Sequence, residues 1–203
     1  MIVTLDLDDG SILRNRWDLL HKLKELYPKL KLSLFWIPFD LEYEKSMLRI
    51  NREEKLKMIK DNLDWVELIP HGLSHIPREF AGCDKETMKM ALNAIDECMT
   101  RDGLPYVKGF KAPFWLWNTD VVEVLDSEGW FGASDRNQPD MPKTKRNYVY
   151  THSIHEEFWT DPQEFWGLHG HMTEPSDNAL DRCIINLTKI PHDAEFKFVS
   201  EVI

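Results

Sequence analysis

Apolar and polar positions change period repeatedly along the chain, and each change marks a strand or a helix. Residues 2–7 (IVTLDL) form an apolar strand that runs into Asp8, Asp9 and Gly10. Leu13, Trp17, Leu20, Leu23 and Tyr27 then recur at helical spacing and stop around Pro28. Residues 30–37 (LKLSLFWI) alternate, become continuously apolar, and end at Pro38. The strongly charged stretch 42–63 carries Met47, Ile50, Leu56, Ile59 and Leu63 as its expected buried positions. A short strand, WVELIP (65–70), leads into His71-Gly72. Asp84 is the expected cap of a helix with the stripe Met88, Leu92, Ile95 and Met99, closed by Gly103.

The second half repeats the alternation. YVKGFKAP (106–113) reads as a strand, and Asn118 caps a helix through Val121, Val122 and Leu125 to Gly129. WFGAS (130–134) is another strand, followed by a polar, proline-containing loop over 135–147. Asp161-Pro162 reads as a cap with proline in the first helical turn. FWGLHGHM (165–172) is expected to be a strand, Leu180, Ile184 and Leu187 a last helix, and FKFVSEV (196–202) a closing strand. Strand–helix repetition without a long linker or an internal repeat predicts one parallel α/β domain over 1–203, an open sheet or a barrel. In either, the functional residues belong at the C-terminal ends of the strands.

Composition narrows the partners. The formal net charge of −10 disfavours nucleic acid and anionic membrane surfaces, which would be repelled. No apolar run approaches the roughly 20 residues of a membrane span. Cys83, Cys98 and Cys183 are odd in number and far apart, and the chain enters a strand with no apolar leader before it. Reduced thiols and a cytoplasmic location are the expectation.

Four polar groups stand at the predicted strand ends: Asp8-Asp9, His71 with His75, Lys111 with Pro113, and His169 with His171. His71 and His75 are four apart, so a helical turn would aim both imidazoles at one metal ion. They also read as surface or hydrogen-bonded histidines. Asp8 and Asp9 are adjacent and cannot point the same way in an extended strand. A turn through Gly10 would let one carboxylate ligate a metal and the other receive a proton; a solvated acidic turn is the plainer alternative.

The order LDLDDG (5–10), H-x-x-x-H (71–75), FKAPFW (110–115) and GLHGH (167–171) resembles the polysaccharide deacetylase family, the NodB-homology group known as carbohydrate esterase family 4. The likeness runs over essentially the whole chain. It implies a distorted (β/α) barrel of about seven strands and a metal-dependent hydrolase that removes an N-acetyl or similar acyl group from an amino sugar or glycan, with a metal-activated water as nucleophile. By position, Asp8 is then the general base, and Asp9, His71 and His75 hold the metal, Zn²⁺ first, with Co²⁺, Ni²⁺ or Mn²⁺ also suited. Lys111 stands where the family has an arginine that orients the base, and Asp135 is the candidate to support it. Pro113, Phe114 and Trp115 would wall the substrate groove, with a backbone N–H near Phe114 at the oxyanion. Leu168 and His169 match the family's Leu-His motif. His169 is the general acid by that match, His171 is its rival, and either would start protonated. Asp6 is expected to point away from the site. Gly72 departs from the family's small hydroxyl residue, and Lys111 lacks the planar fork of arginine.

Two other readings remain. A haloacid-dehalogenase-like phosphatase would use Asp6 as nucleophile and Asp8 as acid/base, with Asp177 and Asp181 as a poor match for its later acidic pair. A non-catalytic carbohydrate-binding relic of the deacetylase fold would keep the residues without turnover. Among the tryptophans near strand ends (Trp36, Trp115, Trp117 and Trp166), core packing is the default, and Trp115 is the best candidate to meet a sugar ring. His152-Ser-Ile-His155-Glu156 reads as a polar loop, with groove lining as the alternative.

Overall fold

The computed structural model describes residues 1–41, 51–160, 163–173 and 177–203. The expected positions Met47 and Ile50 and the Asp161-Pro162 cap lie outside them. The chain runs β1 (Ile2–Gly10), α1 (Trp17–Leu26), β2 (Leu32–Trp36), α2 (Arg52–Lys60), β3 (Val66–Pro70), α3 (Lys85–Asp102), β4 (Gly109–Phe110), α4 (Thr119–Ser127), β5 (Phe131–Ser134), β6 (Asn147–Val149), β7 (His152–Ser153), β8 (Phe165–His171), α5 (Leu180–Leu187) and β9 (Glu195–Phe196). That is nine strands among the described residues, against about seven expected, because two short pieces, β7 and β9, join as edge segments.

All strand pairings among the described residues are parallel. One sheet has the order β3-β2-β1-β8-β7, with β9 beside the start of β1; the other has the order β4-β5-β6. The two sheets meet where β3 runs out: His71 bridges to Lys111, and the Lys111 N–H donates to the Pro70 carbonyl at 3.1 Å. At the other seam, between β6 and β7, no ladder forms among the described residues. There Tyr148 of β6 reaches across to β1, with its hydroxyl 3.0 Å from both Thr4 Oγ1 and Asp6 Oδ2. The architecture is a distorted (β/α) barrel in which side chains span the seam that the backbone leaves open.

Strand alternation sorts the side chains. Val3, Leu5 and Leu7 of β1, with Leu32 and Leu34 of β2, Leu68 of β3 and Leu168 of β8, join the main core with the helices. Thr4, Asp6 and Asp8 of β1, Ser33 of β2, Glu67 of β3 and His169 of β8 are equally buried but polar. Phe35, Ile69, Phe131, Ala133, Tyr148 and Tyr150 form a second, smaller apolar cluster. Buried polar groups are tolerated only when bonded, and these are. The Glu67 carboxylate accepts from Ser33 Oγ at 2.6 Å and Ser200 Oγ at 2.5 Å.

That last contact explains a departure from the sequence pattern. FKFVSEV does not continue as a strand beyond Phe196; it turns into a short 3₁₀ helix, Val199–Glu201. The Val199 N–H donates to Ser33 Oγ at 2.8 Å and the Ser200 N–H to Glu67 at 3.2 Å, so the interior polar pair captures the backbone that a strand would have offered to a neighbour. The strand expected over 106–113 likewise shrinks to Gly109–Phe110 before a 3₁₀ turn at Pro113–Trp115.

The helix caps follow expectation. Asp84 Oδ1 accepts from the Thr87 N–H at 2.8 Å, and Gly103 closes α3 with φ +62°. Asn118 acts twice: Oδ1 accepts from the Val121 N–H at 3.1 Å, while Nδ2 donates to the Cys83 carbonyl at 2.8 Å, tying the start of α4 to the start of α3. Asn118→Ala is expected to lower the unfolding free energy by about 1–2 kcal/mol. Asn118→Asp, which keeps the cap acceptor and loses the donor, should fall between it and the parent in a denaturant titration.

Candidate active site

The site grows out of an irregularity at the end of β1. The pairing register with β2 shifts between Leu7 and Gly10, and Asp9 adopts φ +64°. The reversal expected at Gly10 is thus made by Asp9 itself. Gly10 serves close packing instead, since a Cβ there would lie 2.6 Å from Leu34 Cδ1. Asp8 keeps its inward strand direction, and Asp9 is swung towards the loop that follows β3.

That loop is not the helical turn the spacing suggested. Gly72 and His75 take φ +63° and +57°, and these two reversals bring the His71 and His75 rings to 4.7 Å between centroids. His71 Nδ1 lies 3.1 Å from the Lys111 carbonyl, to which it donates, so Nε2 is left bare on the side of the carboxylates. It stands 3.6 Å from Asp9 Oδ1 and 3.7 Å from Asp8 Oδ2. His75 Nε2 is 2.9 Å from Asp9 Oδ1 but not aligned for a hydrogen bond, and that buried oxygen has no hydrogen-bond partner among the described residues. Such an orphan is costly unless something binds it. Two imidazole nitrogens and one carboxylate oxygen lie within 4.8 Å of one another, a donor set that suits Zn²⁺, Co²⁺, Ni²⁺ or Mn²⁺. Asp9, His71 and His75, the predicted ligands, therefore fit a metal ion.

Gly72 is required here for a reason the sequence does not disclose. A Cβ would meet Glu79 Oε2 at 2.5 Å and Pro113 Cγ at 2.7 Å. The Glu79 carboxylate fills the space beside Gly72 and accepts from the Leu73 and Ser74 N–H groups at 3.2 and 2.9 Å, pinning the loop that carries His75. Burial raises its pKa, with those backbone donors working against the rise.

Beside the metal triad, Lys111 is 1% exposed, with Nζ 2.5 Å from Asp8 Oδ1 and 3.7 Å from Asp6 Oδ1. The ammonium also lies over the Trp115 ring at 3.7 Å and Phe35 at 4.6 Å. Burial works against ionised Asp8, but the Lys111 ammonium leads the opposing pull and its pKa lies below the usual range. Asp6 is not turned away as expected. Being two residues from Asp8, it shares the inward face, and its Oδ1 is 2.7 Å from His169 Nδ1. Burial pushes its pKa up to about 6 against the pull of Lys111 and Tyr148. Asp135 does not support Lys111; it accepts from the Tyr150 hydroxyl at 2.8 Å.

His169 and His171 both present Nε2 to Asp8 Oδ2, at 4.0 and 3.9 Å. His171 Nδ1 is held by Asn178 Oδ1 at 2.6 Å. Burial, reinforced by Lys111, drives the His169 pKa well below that of an ordinary histidine, so this ring starts uncharged rather than protonated.

The wall residues divide. Trp115 packs edge-on to His169 at 5.4 Å, Phe114 is exposed beside His75 at 5.5 Å, and Pro113 is buried under Gly72. Leu168 belongs to the outer core at 0% exposure, pointed away from His169 by strand alternation, and offers a ligand nothing. Trp36, Trp117 and Trp166 are core residues. A pocket of about 310 Å³ opens beside the two histidines, lined by Trp115, Arg136, Asn137, Tyr150, Ser153, His155, Glu156 and Asn178. The His152–Glu156 segment, read as a loop, thus supplies groove lining. Tyr148, Tyr150, Arg136, Asn178 and Glu79 carried no spacing signal in the sequence. A larger pocket of about 410 Å³ around Lys89, Tyr106, Lys108 and Trp130 contains none of the strand-end residues.

Replacing Glu79 by alanine, or Gly72 by serine, should release the loop and weaken divalent-cation binding about 10- to 100-fold by isothermal titration calorimetry. Unchanged affinity in both variants would contradict the pinning role.

No protein-family sequence model matches the chain, and no curated protein matches it. Solved structures do. A peptidoglycan N-acetylglucosamine deacetylase superposes with TM-score 0.63 at 16% identity, over 99% of this chain and 87% of that one. A family 4 acetyl xylan esterase from Clostridium thermocellum, in complex with a cobalt ion, gives 0.59 at 13% identity over 99% and 89%. A family 4 pseudoenzyme from Bacillus anthracis gives 0.61 at 16% identity over 99% and 64%. The protein has the NodB-like fold of the family 4 carbohydrate esterases, at a sequence distance that marks it as divergent from these structures.

Proposed function

We propose that the chain is a divalent-metal-dependent hydrolase that removes an acetyl or similar acyl group from the nitrogen of an amino sugar or glycan. The observation that carries this is the convergence of the Asp9, His71 and His75 donors on one orphaned carboxylate oxygen, directly beside an Asp8 carboxylate held by Lys111. Support comes from the structural neighbours, one named as an N-acetylglucosamine deacetylase and one holding cobalt.

An ion held by the three ligands would supply Lewis acidity, lowering the pKa of water towards about 7 and polarising the acyl carbonyl. Asp8 takes the water's proton at Oδ2, while Oδ1 remains bonded to Lys111. His169 and His171, across from that oxygen, deliver a proton to the leaving nitrogen. The Phe114 amide is the oxyanion donor that the family likeness implies, and the neighbouring Trp115 amide is already bonded to the Ala112 carbonyl. Trp115 and Phe114 offer aromatic faces to the sugar, and the pocket beyond them takes its polar edges. The phosphatase reading loses its nucleophile, because Asp6 is 1% exposed with both oxygens hydrogen-bonded inside the barrel.

The test is acetate release from N-acetylated amino sugars and their oligomers by the metal-loaded protein. Asp8→Asn should retain its metal and lose about 10²–10⁴ in rate. A wild-type protein that binds metal and hydrolyses no amide would favour the non-catalytic, carbohydrate-binding reading, and an Asp8→Asn variant with near-parental turnover would remove Asp8 as the base.

A further inference from the structure

Asp6 lies deepest of the three N-terminal acids, and nothing in the proposed reaction uses it. Its two oxygens have separate partners. Oδ2 accepts from the Tyr148 hydroxyl at 3.0 Å, and burial together with Asp6 itself keeps that phenol protonated. Oδ1 lies 2.7 Å from His169 Nδ1. The same ring nitrogen is 3.4 Å from Lys111 Nζ, which can only donate. An imidazole Nδ1 carries one proton or one lone pair, so it cannot satisfy both neighbours. The shorter contact is to the carboxylate, and a carboxylate requires a donor.

We infer that Asp6 is a positioning residue that fixes His169 as its Nδ1–H tautomer, with a bare Nε2 facing Asp8, and so makes His169 rather than His171 the group that carries the proton to the leaving amine. This rests on the hydrolase reading and assigns the roles within it. His169 begins uncharged, so it has to receive a proton before it can give one. The proton that Asp8 Oδ2 takes from water passes to Nε2 of His169, and from there to the nitrogen as the C–N bond breaks. Asp8 and His169 both return to their starting states, the acyl group leaves as a carboxylic acid, and the amine has gained the hydrogen. During the interval the imidazolium is stabilised by the Asp6 carboxylate behind it. Among the described residues, His171 Nδ1 meets the neutral Asn178 amide and no carboxylate. A buried imidazolium with a depressed pKa is a strong acid, which suits donation to an amine.

The experiment is histidine tautomer assignment by long-range ¹H–¹⁵N correlation NMR on the protein labelled at histidine, with resonances assigned through His169→Gln. The wild-type protein should show His169 with a protonated Nδ1 and an unprotonated Nε2. In Asp6→Ala, Lys111 is the remaining hydrogen-bonding neighbour of Nδ1 among the described residues, and the proton should move to Nε2. Asp6→Asn should shift the tautomer population and lower kcat by about 10²-fold or more with KM near the parental value, while metal content and thermal unfolding stay close to wild type. A wild-type His169 protonated at Nε2 overturns the inference without any variant. An unchanged tautomer and rate in both Asp6 variants overturns it as well. Wild-type protein with the expected tautomer but no amide hydrolysis would instead count against the hydrolase reading, leaving the positioning geometry intact.

Discussion

The ammonium of Lys111, enclosed inside the barrel, is the contact on which the rest of the site depends. It sits against Asp8, within reach of Asp6, and under the faces of Trp115 and Phe35. Two carboxylates in a buried interior would each carry a large desolvation cost, and removal of their shared counter-ion would leave that cost uncompensated. The consequence is divided between the two. Asp8, in direct contact with Nζ, stays ionised below the usual range, whereas Asp6, a further ångström away, is pushed up to about 6. A point charge can serve two carboxylates on one strand, whereas the planar fork of a guanidinium favours one.

The same residue joins the halves of the fold. Its backbone closes the seam between the two sheets by pairing with His71, and its carbonyl accepts from the His71 ring and the Gly72 N–H. Its side chain then reaches β1 and the face of β8. One lysine thereby aligns the loop that carries His71 and His75, Asp8 and the neighbouring His169, which come from three separate strands. At the opposite seam Tyr148 performs the complementary task through Thr4 and Asp6.

Much of this was legible in the sequence, and the failures share a cause. The helix caps at Asp84 and Asn118 and the strands at 2–7 and 165–172 follow from local spacing, and the motifs at several strand ends, read together, point to the cluster that Asp9, His71 and His75 form. Asp6 departs from expectation because its partners are set by what faces it across the barrel, although its two-residue separation from Asp8 puts both on one face. Glu79 and Tyr150 are positioned by irregular turns with no period to read. Leu168 matches the motif, yet alternation alone assigns it to the side opposite His169. FKFVSEV has the pattern of a strand, but Ser33 and Glu67 on distant strands capture its backbone.

The central claim is that Asp9, His71 and His75 form one cation site next to a base. Cobalt(II) titration of the metal-free protein, followed by visible absorption with stoichiometry from elemental analysis, tests it most directly. The account predicts saturation at one equivalent, with His75→Ala and Asp9→Ala losing the signal and His171→Ala retaining it. Absence of saturable uptake by the wild-type protein, or uptake unaffected by loss of His75 and Asp9, would contradict it.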